Sequence, residues 1–184
     1  LYFSGDGDVV GWIKTGVWDK TKDAAASQGW CPLVLNTDGL TTDGFSINPD
    51  RSKWTKPGDP IDPKKDTRVS VERFLYGIDV NPKDDSIWAV GFMPSVPSAI
   101  YRLDLGSNPP ETCVTEVYEP PLRDDGSYSA FGARGVSIDT NGVAWISFND
   151  GHLGKFDRRK CEVFGGPTAT GQQCPQGWEI FARE

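Results

Sequence analysis

Residues 132–157 decide the fold of this chain, and they read Gly-Ala-Arg-Gly-Val-Ser-Ile-Asp-Thr-Asn-Gly-Val-Ala-Trp-Ile-Ser-Phe-Asn-Asp-Gly-His-Leu-Gly-Lys-Phe-Asp. Short apolar segments in this stretch are separated by Asn141-Gly142 and by Asp150-Gly151. Asn-Gly and Asp-Gly pairs accept the positive φ angles that two-residue hairpin turns require. The stretch therefore predicts a meander of three antiparallel strands. These strands cover residues 136–138, 143–148 and 152–156.

The same pattern occurs a second time, earlier in the chain. Gly77 matches Gly135 at the first strand, and Trp88 matches Trp145 in the second strand. Both tryptophans are predicted to lie in a core between sheets. Each copy continues into a fourth alternating segment, and a shortened third copy opens the chain. The matched segments are residues 76–81 and 134–139, 86–90 and 143–147, 100–104 and 153–157, and 114–118 and 178–181, with residues 1–4, 9–13 and 30–35 in the shortened copy.

Four-stranded units that repeat at this length are typical of β-propeller blades. A single sheet cannot bury both faces, so each blade needs neighbours. Because propellers usually have about 4–8 blades, we predict an all-β propeller segment, with the remaining blades or another chain covering its open edges. A closed sandwich of the same meanders is the alternative. The predicted parts are an incomplete blade (1–35), a long insertion between blades (36–75), a blade (76–118), a loop (119–133) and a blade (134–184).

The composition agrees with many strands and turns, and it excludes some partners. The 184 residues include 7 Trp, 21 Gly and 14 Pro, which is typical of an all-β globular chain and not of a disordered one. With a net charge of −7, the chain has no cluster of Lys and Arg large enough to bind nucleic acid. No apolar run approaches the roughly 20 residues of a membrane helix, so we expect a soluble chain without a membrane span.

The four cysteines indicate the compartment. No Cys-x-x-Cys pair occurs and the chain has one histidine, so a structural zinc site is not expected. Cys161 and Cys174 flank a loop rich in Gly, Pro and Thr, and a disulfide between them would favour the periplasm or the cell exterior. Four buried thiols in a cytosolic protein are the alternative, and the sequence leaves the pairing of Cys31 and Cys113 open.

Both copies share the pattern Gly-(Ile/Val)-x-x-(Asp/Asn), then Trp, then (Ile/Leu)-x-x-(Leu/Phe)-Asp. This pattern resembles the blades of streptogramin-lyase-like propellers, which are relatives of the NHL and SMP-30-type propellers. The sequences of residues 29–32, 108–112, 156–161 and 166–172 are also similar to those of a group of uncharacterised bacterial exported proteins of that type. The resemblance covers most of the chain and implies an exported propeller. It implies little about activity, because propellers host many unrelated functions.

In a propeller, the loops between blades and the loops between second and third strands share one face with the mouth of the central channel. Loops longer than about 12–15 residues are usually functional or disordered. The insertion 36–75 is therefore predicted to be the main binding element. The loops on this face are residues 4–8, 36–75, 92–98, 119–133 and 149–152.

Residues 36–44 are rich in oxygen ligands and turn glycines, which a hard cation such as Ca²⁺ needs. The candidate ligands are Asn36, Asp38 and Asp43. The segment departs from the EF-hand loop, because Leu40 stands where a ligand is required. A pair of Asx turns is the alternative interpretation.

His152 and Asp150 are the candidate catalytic pair. Histidine transfers protons near neutral pH, and an adjacent carboxylate can set its tautomer. Streptogramin lyases need more than one histidine together with a glutamate and Mg²⁺, whereas His152 is the single histidine of this chain. The alternative is a turn histidine that packs on the next blade.

Tyr76 and Arg134 occupy the same position in their copies, directly before the first-strand glycine. An arginine there can bind a carboxylate, phosphate or sulfate, and a tyrosine offers a stacking surface. With Asn149 and His152, these residues are the predicted ligand-binding set. The alternative for Arg134 is a structural ion pair with an Asp of a neighbouring blade.

Three functions are compatible with these patterns. The first is an extracytoplasmic binding module with a small molecule or a protein partner at the channel mouth. The second is a metal-dependent lyase or hydrolase whose further catalytic residues lie outside residues 1–184. The third is a structural subunit of a larger assembly. The chain has no nucleophile motif, phosphate loop or dinucleotide fingerprint, which favours the binding module over an enzyme.

Overall fold

The computed structural model describes residues 1–4, 9–39, 47–48, 50–57, 59–69, 75–91 and 98–182. These residues fold mainly into β-strands, which form three sheets. The all-β prediction is therefore confirmed. Within this part of the chain, the three sheets do not close into a barrel or a ring.

The first sheet has three antiparallel strands, and two short helices follow its second strand. Its elements are β1 (Tyr2–Ser4), β2 (Val9–Ile13), α1 (Thr15–Thr21), α2 (Ala24–Ser27) and β3 (Gln28–Pro32). The order is β1-β2-β3, as the shortened copy predicts. The carboxylate of Asp23 caps α2 by accepting hydrogen bonds from the backbone N–H groups of Ala25 and Ala26. No helix in the described ranges is long and apolar enough to cross a membrane.

The middle sheet has six strands and contains the first complete copy. Its strands are β4 (Val34–Leu35), β5 (Thr67–Arg68), β6 (Leu75–Val80), β7 (Ile87–Gly91), β8 (Ile100–Asp104) and β9 (Val114–Tyr118). Strands β6 to β9 form an antiparallel meander, β4 lies parallel to β9, and β5 pairs with β4. The described part of the insertion 36–75 therefore extends the β9 edge, opposite β6.

The prediction of one strand over residues 30–35 is wrong, because the chain changes sheets there. Strand β3 ends at Pro32 in the first sheet, and β4 begins at Val34 in the middle sheet. Proline has no backbone N–H with which to continue a ladder of hydrogen bonds.

The last sheet is the meander predicted from residues 132–157 with a fourth strand added. Its strands are β10 (Ala133–Ile138), β11 (Ala144–Phe148), β12 (Leu153–Phe156) and β13 (Trp178–Phe181), in that order. Gly142 and Gly151, in the two turns, have φ angles of +79° and +89°. These left-handed conformations explain why glycine stands at both turns.

The two four-stranded meanders have the same register at the aligned positions. In the middle sheet, Arg102 lies opposite Trp88 on one side and opposite Glu116 on the other. In the last sheet, Lys155 lies between Trp145 and Glu179 in the same way. Trp88 stacks on Tyr118 with ring centroids 6.4 Å apart, and Trp145 stacks on Phe181 at 6.3 Å.

The sheets pack face to face around two apolar clusters. One cluster joins the first and middle sheets and includes Trp12 and Ile87. The other joins the middle and last sheets and includes Trp88 and Phe156. Trp88 is only 1% exposed, as predicted, whereas Trp145 is half-buried. Trp145 lies on the outer face of the last sheet, which no other described sheet covers, so its place in a core between sheets stays a prediction.

Two disulfides cross-link the fold. Cys161 pairs with Cys174, as predicted, and closes the connection between β12 and β13. Cys31 of β3 pairs with Cys113, which directly precedes β9, so this bond ties the first sheet to the middle sheet. The alternative of four thiols is therefore wrong.

Candidate functional site

Tyr76 and Arg134 lie at irregularities in the first strands of the middle and last sheets. The register of β6 against β7 shifts between Leu75 and Gly77, and that of β10 against β11 shifts between Ala133 and Gly135. The residue between each pair stands outside the ladder, as in a β-bulge, and bulges re-aim side chains near functional sites. Tyr76 is 52% exposed, and Arg134 is also exposed.

The two strands approach closely through glycines. A Cβ atom on Gly77 would lie 3.1 Å from the Cα atom of Gly135 and 3.2 Å from the backbone nitrogen of Val136. A side chain at position 77 would therefore be crowded by the backbone of the neighbouring strand. Because the contact holds β6 against β10, it also keeps Tyr76 and Arg134, which precede the two glycines, close to each other.

The structure brings Tyr76 and Arg134 together. The guanidinium carbon of Arg134 lies 5.5 Å from the centroid of the Tyr76 ring, within the range of a cation–π contact. Stacking uses the flat face of the guanidinium and leaves its N–H donors at the edges. In the described part of the chain, no carboxylate forms an ion pair with Arg134, so the predicted structural ion pair is not seen there.

Asp79 holds the same two strands together, and the sequence reasoning missed it. Its Oδ2 atom accepts a 2.7 Å hydrogen bond from the backbone N–H of Ile138 and a 3.3 Å bond from the hydroxyl of Ser137. The aligned copies could have pointed to this hydrogen bond, because Asp79 stands where the second copy has Ser137. A carboxylate on one strand can accept hydrogen bonds from the next sheet, whereas a serine at the equivalent position supplies a donor.

The turn that carries Asn149 and His152 lies at the same end of the last sheet as Arg134, because Ala133 pairs with Phe148. The backbone N–H of Asn149 donates to the carbonyl of Gly132 at 2.8 Å. The predicted ligand-binding residues Tyr76, Arg134, Asn149 and His152 therefore share one end of the fold. The loop over residues 92–97, predicted to join them, lies outside the described residues.

His152 and Asp150 form the predicted pair. The Nδ1 atom of His152 lies 2.9 Å from Oδ1 of Asp150, and Oδ2 of Asp150 accepts a 2.8 Å hydrogen bond from the backbone N–H of Phe131. Burial raises the pKa of Asp150, but the hydrogen bonds and charge of His152 outweigh it, so this pKa lies below its ordinary value. The carboxylate can thus orient the imidazole, but the described residues supply no second histidine, since the chain has one.

Asn36 and Asp38, the predicted metal ligands, are buried beside Asp66. The Oδ1 atom of Asn36 accepts a 3.2 Å hydrogen bond from the backbone N–H of Gly39, which is an Asx-type turn. Asp66 is fully buried, and its Oδ1 atom accepts a 3.3 Å bond from the backbone N–H of Thr37. Burial, with the nearby charge of Asp38, raises the pKa of Asp66 to about 6.

The described residues of the segment 36–44 do not form a recognisable metal-binding cluster. There, no three His, Cys, Asp or Glu side chains come together in a group that could hold a metal ion. Asp43, the third predicted ligand, lies outside the described residues. Binding of Ca²⁺ or Mg²⁺ by residues 36–44 stays a prediction.

Comparisons with known proteins give no match to a family model, to a curated protein or to a solved structure. The resemblance to streptogramin-lyase-like propellers therefore stays an interpretation of the sequence.

Proposed function

We propose that this chain is a segment of a β-propeller that acts outside the cytoplasm as a binding module. The repeated four-stranded meander and the face-to-face packing of its sheets support the propeller, as does the resemblance of its blades to streptogramin-lyase-like propellers. The two disulfides support an oxidising compartment, the periplasm or the exterior.

The outer face of the last sheet supports the presence of a further blade. Trp145, Lys155, Glu179 and Phe181 stand on this face at the positions that Trp88, Arg102, Glu116 and Tyr118 occupy in the middle sheet. In the middle sheet these positions are buried against the last sheet, whereas Phe181 is 44% exposed. We expect a further blade, or a sheet of another chain, to cover this face in the same way.

The ligand of the proposed module is anionic, and the contact between Arg134 and Tyr76 carries this proposal. A guanidinium held over an aromatic ring is pre-organised, and its N–H donors fit a carboxylate, phosphate or sulfate group. His152 and Asn149, at the same end of the sheet, are candidates for further contacts to a small molecule or to an acidic group of a protein partner.

Calorimetric titration with citrate, inorganic phosphate and sulfate tests this function. We expect at least one anion to bind, and Arg134→Gln to weaken its binding about tenfold or more, because charge-assisted bidentate hydrogen bonds are lost. Arg159→Gln is the matched control, since the guanidinium of this exposed arginine already forms two 2.8 Å hydrogen bonds with Asp157. Equal affinity in the Arg134→Gln variant and the unmodified chain, or no binding of any of the three anions, would contradict the proposal.

A further inference from the structure

A cavity lies between β3 and the insertion, away from the contact between Tyr76 and Arg134. Its volume is about 350 Å³, and its walls include two tryptophans and three cationic side chains. We call it the tryptophan pocket, and it is lined by Trp30, Arg51, Trp54, Lys56 and Arg68, among others.

Arg51 is the centre of the tryptophan pocket. Its guanidinium carbon lies 5.6 Å from the ring centroid of Trp30 and 5.7 Å from that of Trp54. Cation–π contacts of this kind hold the guanidinium by its faces. The N–H groups at its edges stay able to donate hydrogen bonds to an anion.

The pocket is built from ordered local structure. Residues Arg51–Lys53 form a 3₁₀ turn, which Asp50 caps by accepting a 3.0 Å hydrogen bond from the backbone N–H of Ser52. The indole N–H of Trp54 donates to the carbonyl of Asn48 at 2.8 Å. One tryptophan is therefore fixed by the insertion, while Trp30 is supplied by β3.

The charge of the pocket is unusual in this chain. The chain carries a net charge of −7, yet the described residues that line the pocket include three cations and no carboxylate. Arg51 forms an ion pair with Glu111, at 4.0 Å, with both side chains more than half exposed. Such an exposed ion pair is weak and screened by salt, so an anionic ligand can compete with Glu111.

We propose that the tryptophan pocket binds a ring carboxylate, that is, a carboxylate carried directly on a six-membered ring with a face that can pack on an indole. The carboxylate accepts hydrogen bonds from the edge of Arg51 and is further attracted by Lys56. The ring packs on the indole of Trp30, which is 43% exposed. An aromatic acid and a uronic acid both have this chemistry.

This site is separate from the contact between Tyr76 and Arg134. Arg68 belongs to β5 and Tyr76 to β6, which are the two opposite edges of the middle sheet. Five strand spacings of about 4.8 Å put these edges roughly 24 Å apart. The two sites can therefore be tested independently.

The test is a calorimetric titration of the chain with benzoate, glucuronate and inorganic phosphate, followed in parallel by tryptophan fluorescence. In the Arg134→Gln background, which removes the other proposed anion site, we expect benzoate or glucuronate to bind more tightly than phosphate. The ring carboxylate that binds more tightly shows whether the pocket prefers an aromatic acid or a uronic acid. Arg51→Gln should weaken this binding about tenfold or more. Glu111→Gln should strengthen it, because it removes the competing carboxylate, and Arg134→Gln should leave it unchanged.

A second variant keeps the test decisive if Arg51→Gln perturbs the fold. Arg51→Lys retains the charge but loses the flat guanidinium, so we expect a weaker affinity than in the unmodified chain. The proposal is overturned if neither ring carboxylate binds, if phosphate binds the Arg134→Gln variant as tightly as both ring carboxylates do, or if both Arg51 variants bind the ring carboxylates normally. Loss of binding in Arg134→Gln would also overturn it and would assign the anion to the other site.

Discussion

Arg158, in the 3₁₀ turn that follows β12 of the last sheet, forms two hydrogen bonds of 2.6 Å with the carboxylate of Glu116 in the middle sheet. Glu116 is 2% exposed, and it also accepts hydrogen bonds from Arg102 at 3.1 Å and from the hydroxyl of Tyr118 at 2.6 Å. Burial lowers the pKa of Arg158, but the hydrogen bonds and charge of Glu116 outweigh it, so this pKa is raised. The network therefore ties the two sheets together through a buried charge.

The first prediction concerns this carboxylate. Glu116→Gln should lower the free energy of unfolding by about 3 kcal/mol, because it removes the carboxylate that pairs with the half-buried Arg158. It also removes one of the three carboxylates that pair with the buried Arg102. Glu179→Gln is the matched control, since Glu179 pairs with Lys155 at the equivalent position on the exposed face of the last sheet. Urea unfolding measures both variants. Equal losses of unfolding free energy in the two variants would contradict this prediction. They would show that burial of Glu116 under the last sheet does not determine how much its charge contributes.

The second prediction concerns the contact between the two first strands. Gly77→Ala should destabilise the fold by about 1–3 kcal/mol, because the new methyl group meets the backbone of Gly135 at 3.1 Å. Gly16→Ala is the control, since no atom lies within 4 Å of the added carbon in α1, and it should be neutral or stabilising. Gly77→Ala should also weaken anion binding at Arg134. Normal stability together with normal anion binding in this variant would contradict the close approach.

The third prediction compares the two disulfides. Cys31 and Cys113 are 82 residues apart in sequence, and Cys161 and Cys174 are 13 apart. On the loop-entropy model a loop of roughly 15 residues is worth about 3 kcal/mol and one of roughly 100 residues about 4.7 kcal/mol. Replacing Cys31 and Cys113 by serine should therefore cost more than replacing the other pair, as measured by thermal and urea unfolding. The reverse order would show that local structure in the β12–β13 connection dominates.

The fourth prediction concerns pH. Since the pKa of Asp150 is lowered in the folded chain, its contribution to stability is present above its unfolded pKa of about 3.9 and is lost as the pH falls through the folded value. Asp150→Asn should lower stability at pH 7 by less than about 1 kcal/mol, because the carboxylate is only partly buried and solvent screens its interactions. Urea unfolding at several pH values should show the two chains converging in acid. A difference that grows as the pH falls would have the wrong sign.

The local features of the fold could be predicted from the sequence, because they depend on neighbouring residues. Tight hairpin turns require positive φ angles, and the pairs Asn141-Gly142 and Asp150-Gly151 supply residues that accept them. The meander can therefore be predicted from these pairs directly. Similarly, the pairing of Cys161 with Cys174 follows from two cysteines that flank one loop.

The remaining features depend on contacts between distant residues. Strand β4 joins the middle sheet because Leu35 pairs with Thr115, and nothing near Leu35 in the sequence specifies this partner. The aligned copies placed Tyr76 and Arg134 at equivalent positions. Their contact, however, depends on the packing of Gly77 against Gly135, which only the three-dimensional structure reveals.

The most direct test of the binding account is an NMR titration that follows the guanidinium resonances of Arg134 while citrate, phosphate or sulfate is added. A bound anion should shift the Arg134 Nε–H resonance until the site is saturated, and the titration should give the same affinity as calorimetry. The Nε–H resonance of Arg159 should not shift. Tyr76→Leu, which removes the aromatic ring beneath the guanidinium, should weaken the effect. If the resonance of Arg134 does not move while another arginine responds to the anion, Arg134 and Tyr76 are not the binding site.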